Sequence, residues 1–255
     1  MAKNLFLLLV FFILSNLSVS AQNIEITNSI VVGGVTSNSA RFWVRTSSQT
    51  LVNIQLSTDL AFTNTILGSE ILTTTESGNS GIIQVAGLEP NTKYYYRAIS
   101  GSNIIDNIER SFNTFPEDGT SSTFSFAFGS CQQSGNFLPS NTNEQSVFNE
   151  IIKYDVKFFL QLGDWGYPDT TDFTPLTNNY FAADYGLVQE SYWSKFNKEY
   201  PIDKLLSKMP VDYIYDDHDY MNNNSSALTS SFYIPYKPNI LSTDYVKMEI
   251  NNPAG

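Results

Sequence analysis

Val156-Lys157-Phe158-Phe159-Leu160-Gln161-Leu162-Gly163-Asp164-Trp165-Gly166-Tyr167 decides the fold of this chain. The run Val156 to Leu162 reads as a β-strand, apolar enough to be central in a parallel sheet. Gly163 then permits a tight turn, so the Asp164 carboxylate can point into the crevice past the strand's C-terminal end. Open α/β sheets build their sites there. Two other runs end the same way. Phe124 to Phe128 leads into Gly129-Ser130-Cys131-Gln132, which holds the sole cysteine. Val211 to Tyr215 leads into Asp216-Asp217-His218-Asp219-Tyr220-Met221, which holds the sole histidine.

The segments between these runs complete the pattern. Asn143 to Tyr154 predicts a helix, with Val147, Phe148, Ile151 and Ile152 on one face. Leu187 to Met209 predicts a largely helical stretch broken at Pro201. A β-α-β-α-β order implies right-handed crossovers and a parallel sheet. Thr170 to Asn179 and Asn222 to Ser231 read as polar loops beside the three strand ends.

Upstream the pattern is different. Residues 24–116 alternate with period two: Val52, Ile54 and Leu56; Phe42 and Val44; Ile83 and Val85; Tyr94, Tyr96 and Ala98. Turn-rich pieces at short spacing, with no helical period between them, predict a β-sandwich. The stretch Leu88-Glu89-Pro90-Asn91-Thr92-Lys93-Tyr94 resembles the turn of fibronectin type III domains, whose tyrosine closes a corner between strands through its hydroxyl. Residues 117–122, rich in Gly and small polar residues after Phe115-Pro116, read as the linker to a second domain at 123–255.

Composition narrows the function. The chain has 255 residues and a net charge of −11. No basic stripe exists to displace counterions from a phosphate backbone, which argues against nucleic acid. An acidic protein still binds phosphate esters if bound cations reverse the local sign. Residues 1–21 read as an export signal: Lys3, an apolar run from Leu5 to Leu14, and Val19-Ser20-Ala21 before Gln22. The run is too short for a comfortable membrane span, so the mature protein is expected outside the cytoplasm, extracellular or periplasmic, with no span after cleavage. A lone cysteine in an exported protein forms no internal disulfide. Cys131 is therefore a buried small hydrophobe, a free thiol or a metal ligand.

The residues at the three strand ends suit metal-assisted hydrolysis. Asp164 and Tyr167 offer hard oxygen ligation, and Cys131 would add a thiolate. Asp217 could hold a second cation, and His218 could face the substrate. Two cations about 4 Å apart clamp a displacement at phosphorus and activate water. Asp216 or Asp219 could instead cap a helix or turn.

The ordered set — sandwich, strand-G-S-C-Q, strand-G-D-x-x-Y, strand-D-D-H-D with Asn222-Asn223 behind it — resembles the alkaline phosphatase D (PhoD-like) family of metallophosphoesterases. The resemblance implies a fibronectin III-like β-sandwich followed by a calcineurin-like α/β metallophosphoesterase domain. It also implies a secreted enzyme that hydrolyses phosphate mono- and diesters with iron(III) and calcium. Cys131, Asp164 and Tyr167 would hold the iron, with Asp164 bridging toward calcium. Asp217 would bind at the second metal, His218 would act on the phosphate, and Asn222 or Asn223 would support the calcium side. Such enzymes continue well past the D-D-H motif, so the chain is expected to be the N-terminal part of a longer protein. The purple acid phosphatases are a similar family, but they carry Asp where this chain has Cys131 and G-N-H where it has Asp216-Asp217-His218. A rival of another class is a non-catalytic surface protein whose β-domain binds a partner. The sequence leaves the substrate and the oligomeric state open.

Overall fold

A computed structural model describes residues 23–132, 146–166, 189, 192–216, 219, 231–232 and 248–249. Nine strands make the N-terminal part: β1 (Val31–Gly33), β2 (Ser39–Arg45), β3 (Thr50–Ser57), β4 (Ile66–Leu67), β5 (Ile71–Thr73), β6 (Ser80–Ala86), β7 (Lys93–Ser100), β8 (Asn103–Ile104) and β9 (Arg110–Asn113). They form one sheet in the order β1-β2-β6 and a second in the order β4-β3-β7-β8, with β5 joined to β3 and β9 to β7. Every pairing in both sheets is antiparallel.

The alternation in the sequence sets which side chains fill the space between the sheets. Phe42, Val44, Val52, Ile54, Leu56, Ile83, Val85, Tyr94, Tyr96, Ala98 and Phe112 are all buried there. Phe42, Tyr96 and Phe112 meet edge to face, with ring centroids 5.0 to 6.0 Å apart. The Tyr94 hydroxyl accepts the Glu89 N–H at 2.9 Å, which closes the corner that the fibronectin-like turn predicts.

Three parallel strands follow: β10 (Ser125–Gly129), β11 (Val156–Gln161) and β12 (Val211–Tyr213), in spatial order β10-β11-β12. The strand predicted to be central is central. Helices α1 (Ser146–Ile151) and α2 (Pro201–Leu206) lie on the two connections. A second apolar cluster gathers Phe148, Phe159, Trp165, Ile202, Leu205, Leu206, Met209 and Val211. On β10, Ala127 is turned to this cluster, whereas Phe126 and Phe128, like Phe124 just before the strand, are exposed. A further pair, β13 (Ser231–Phe232) with β14 (Met248–Glu249), is antiparallel.

Pro201 does not break a running helix. Residues 192–195 are helical, 196–200 turn, and Pro201 opens α2 at its first position. Proline suits that position because its missing N–H is one that the helix cannot satisfy anyway. No helix among the described residues is long and apolar enough to cross a membrane. Residues 1–21, read as an export signal, lie outside the described residues, as do most of the two predicted polar loops.

The two layers share a seam. Val31 of β1 packs into the second cluster, and the Asp212 carboxylate accepts the Gly34 N–H at 2.7 Å. Asn28 donates to the Trp193 carbonyl at 2.7 Å, and the Arg45 guanidinium lies 3.9 Å from the Trp193 ring centre. Arg110 of β9 is fully buried and bridges Asp106 at 2.6 Å and Asp203 of α2 at 3.1 Å. The buried Tyr96 hydroxyl donates to the Leu206 carbonyl at 3.3 Å, and burial raises its pKa well above the usual phenol range.

Candidate functional site

The ends of β10, β11 and β12 lie side by side because the strands are parallel and in register, with Gly129 opposite Gln161 and Gln161 opposite Tyr213. Each chain turns sharply on leaving its strand. After β10, Cys131 has φ of 56°, and after β11, Gly163 has 99° and Asp164 has 57°. The left-handed region disfavours most L-residues by roughly 1–2 kcal/mol, though Asp tolerates it better than Cys. Backbone strain of this kind collects at functional sites.

The two turns are laced together. The Gly163 carbonyl accepts the Cys131 N–H at 3.1 Å and the Gln161 side-chain amide at 2.9 Å. The Asp164 carbonyl accepts the Gln132 N–H at 3.1 Å. This lacing brings Cys131 Sγ to 3.4 Å from Asp164 Oδ2. Cys131 is exposed, so it is not a buried small hydrophobe. Asp164 is buried to 5% exposure. A thiol against a carboxylate at the mouth of a sheet is a fitting donor pair for a strongly polarising cation.

The third strand end closes over the second. A Cβ added at Gly163 would stand 2.4 Å from Asp216 Cβ, so glycine is required where the two loops touch. Asp219, itself buried, spans the same gap. Its Oδ2 accepts the backbone N–H of Asp164 at 2.6 Å and of Asp216 at 3.3 Å. Its Oδ1 accepts those of Trp165 at 2.9 Å and Gly166 at 3.0 Å, and the Tyr192 hydroxyl at 3.1 Å. Burial raises the Tyr192 pKa well above the phenol range, so it stays a donor.

Lys195 is buried beneath the site and donates to the Gln132 carbonyl at 2.9 Å. Burial brings its pKa down to about 7, against the pull of the Asp219 charge in the other direction. Sequence reasoning gave no role to Lys195 and only a local cap to Asp219. The Asp164–Gly166 donors to Asp219 and the Gln132 acceptor of Lys195 lie 53 to 63 residues away along the chain, beyond any local pattern.

Of the residues singled out from sequence, the structure brings together Cys131 and Asp164. Tyr167, Asp217, His218, Asn222 and Asn223 lie outside the described residues. Among the described residues, no group of three or more His, Cys, Asp or Glu gathers as a metal shell.

Residues 14–115 match the family model described as the PhoD-like phosphatase, N-terminal domain. That part of the chain is similar to the family's N-terminal domain. A solved structure titled "Structure of PhoD" matches this chain with a TM-score of 0.62 and 19% identity, over 85% of this chain and 42% of that one. At that identity the likeness shows the fold, and it extends past the sandwich. The chain spans about two fifths of the length of that protein.

Small β-domains match the sandwich more loosely. A sensor domain of the anti-sigma factor RsgI4 from Pseudobacteroides cellulosolvens has a TM-score of 0.29 at 16% identity, over 38% of this chain and 99% of that one. A fibronectin III domain of human contactin 1 has 0.28 at 17%, over 43% and 96%. No curated protein matches.

Proposed function

We propose that the protein is an exported metallophosphoesterase of the alkaline phosphatase D type, hydrolysing phosphate mono- and diesters. The observation that carries this reading is the Cys131–Asp164 pair, 3.4 Å apart, with both residues in left-handed backbone at neighbouring parallel strand ends. The match of residues 14–115 to a PhoD-like phosphatase N-terminal domain supports a phosphatase, and the donor pair supports a metal-dependent one. In this reading residues 1–21 are a cleaved signal, 24–116 the sandwich and 117–122 the linker. Residues 123–255 then belong to an α/β metallophosphoesterase domain.

Cys131, Asp164 and Tyr167 would hold iron(III). Asp217 would hold calcium, with Asn222 or Asn223 in support, and His218 would contact the phosphate. When bound, the metals supply Lewis-acid charge and an activated water. The protein's part is to fix the donors in advance. The Gly163 turn orients the Asp164 carboxylate, and the hydrogen bonds between the Cys131 and Asp164 turns hold the thiol against it. Lys195 sets a buried amine behind Gln132, where its positive form offsets the carboxylates facing an anionic ester.

Metal content by mass spectrometry, wild type beside Cys131→Ser, tests the reading together with turnover of p-nitrophenyl phosphate and bis(p-nitrophenyl) phosphate. Stoichiometric iron with calcium, lost with turnover in the variant, is the expected result. A folded wild type that hydrolyses neither ester and retains no metal would sink it.

A further inference from the structure

We infer that Asp219 is a positioning residue, whose carboxylate holds the Asp164–Gly166 turn in the conformation that sets Asp164 against Cys131. This inference rests on the metallophosphoesterase reading for its consequence, though not for its geometry. Five donors converge on the two oxygens of Asp219: four backbone N–H groups and the Tyr192 hydroxyl. A carboxylate offers about four lone-pair sites, so Asp219 has no capacity left to ligate a metal. A helix or turn cap would serve its own first turn, and here only the Asp216 N–H is local. The other three N–H groups belong to consecutive residues of the loop after β11, 53 to 55 positions upstream.

Those three groups are the ones that a left-handed Asp164 exposes on leaving the strand. Buried N–H groups without acceptors would push the turn toward another conformation. Two further contacts brace the clasp. A Cβ on Gly166 would stand 2.6 Å from the Tyr192 ring, so the turn lies flat against the residue that donates to Asp219. Trp165 packs on Phe196 with centroids 5.7 Å apart, which holds the middle of the turn as well.

Asn in place of Asp219 keeps the volume but leaves one acceptor oxygen, so an amide N–H₂ must face one set of backbone donors. The test compares wild type, Asp219→Asn and Tyr192→Phe in three measurements. Amide exchange is followed in the peptide spanning 164–166, with the β3 peptide as control. The rate at which iodoacetamide alkylates Cys131 reports the thiol's neighbour. The dissociation constant for re-added metal reports the site.

Asp219→Asn is expected to speed exchange at 164–166 at least about fivefold while β3 is unchanged. Alkylation is expected to speed up as the Asp164 carboxylate leaves the thiol. Metal affinity is expected to fall about 10- to 100-fold, the usual effect of removing a group that orients a ligand. Tyr192→Phe, which takes away one donor and leaves the clasp, should move all three readouts less and in the same direction. If Asp219→Asn does not fold, Tyr192→Phe decides alone, and wild-type values in it overturn the inference. Wild-type exchange and alkylation in Asp219→Asn overturn it directly. If wild type binds no metal, the functional reading fails, and exchange with alkylation still decides whether Asp219 positions Asp164.

Discussion

The sandwich and the parallel sheet both contain non-glycine residues in left-handed backbone, for different reasons. In the sandwich they are Phe62, just past a turn, and Asn79 and Asn91, both in turns. Asparagine tolerates this conformation well, because its short amide hydrogen-bonds locally. Beside the parallel sheet they are Cys131 and Asp164. Cysteine has no such tolerance, and a glycine at either position would relieve the backbone. A turn made with Asn serves the fold. At Cys131 and Asp164 the two side chains meet at 3.4 Å, as the proposed metal-binding role requires.

The seam between the two regions is where a substitution should have its largest effect on stability. Arg110→Met leaves Asp203 without its buried cation and Asp106 with Lys198 alone. A loss of about 3–5 kcal/mol is expected in urea unfolding, as for any buried pair broken on one side. A smaller loss with an unchanged denaturant slope would show that the two regions depend on each other less than the seam suggests.

Asp164→Ala is expected to abolish metal binding and reduce ester turnover by at least about a hundredfold, with little change in sandwich stability. Retained turnover would break the functional half of the comparison. Cys131→Gly should do two opposite things. It removes the thiolate, and it relieves the backbone by about 1 kcal/mol. A more stable, metal-free protein in thermal unfolding would confirm that strain is stored there for function.

Lys195→Met tests the buried amine through pH. The folded-state pKa of about 7 lies below the ordinary 10.5, so the unfolded chain binds more protons between those values. Stability from this group therefore rises with pH from about 7 to 10.5, and is constant below 7. The variant should flatten that part of the stability–pH curve. The smallest effect is expected from Asn91→Gly, under about 0.5 kcal/mol in thermal unfolding, because Asn already sits easily there.

The sandwich was largely legible in the sequence, since period-two alternation at Val52, Ile54 and Leu56 is a local property of the strand. The Tyr94 corner was legible for the same reason, its partner Glu89 being five residues away. The three parallel strands and the placement of Cys131 and Asp164 just beyond them also followed from local runs. The Asp219 clasp, the Arg110–Asp203 bridge and the Gly34–Asp212 bond join positions 53 to 178 residues apart, and no periodicity marks such pairs. The helical stretch is interrupted just before Pro201 rather than at it, because the place of Pro201 at the start of α2 depends on where the preceding turn ends. The turn of residues 196–200 is fixed by Asn28 and Ser29 of the sandwich.

The seam also has an order in time. Synthesis completes β9 at Asn113 long before Val211 exists, so β1 waits with Val31 and Gly33 uncovered. Domains fold as units from the N-terminus during synthesis. The sandwich then serves as a template onto which residues 192–213 settle, and the late strand finds its depth against a surface already made. Nascent chains halted before Val211 are expected to protect β3 and β7 from protease while leaving 192–206 cleavable. Cleavage throughout the sandwich would mean that the two regions are born together.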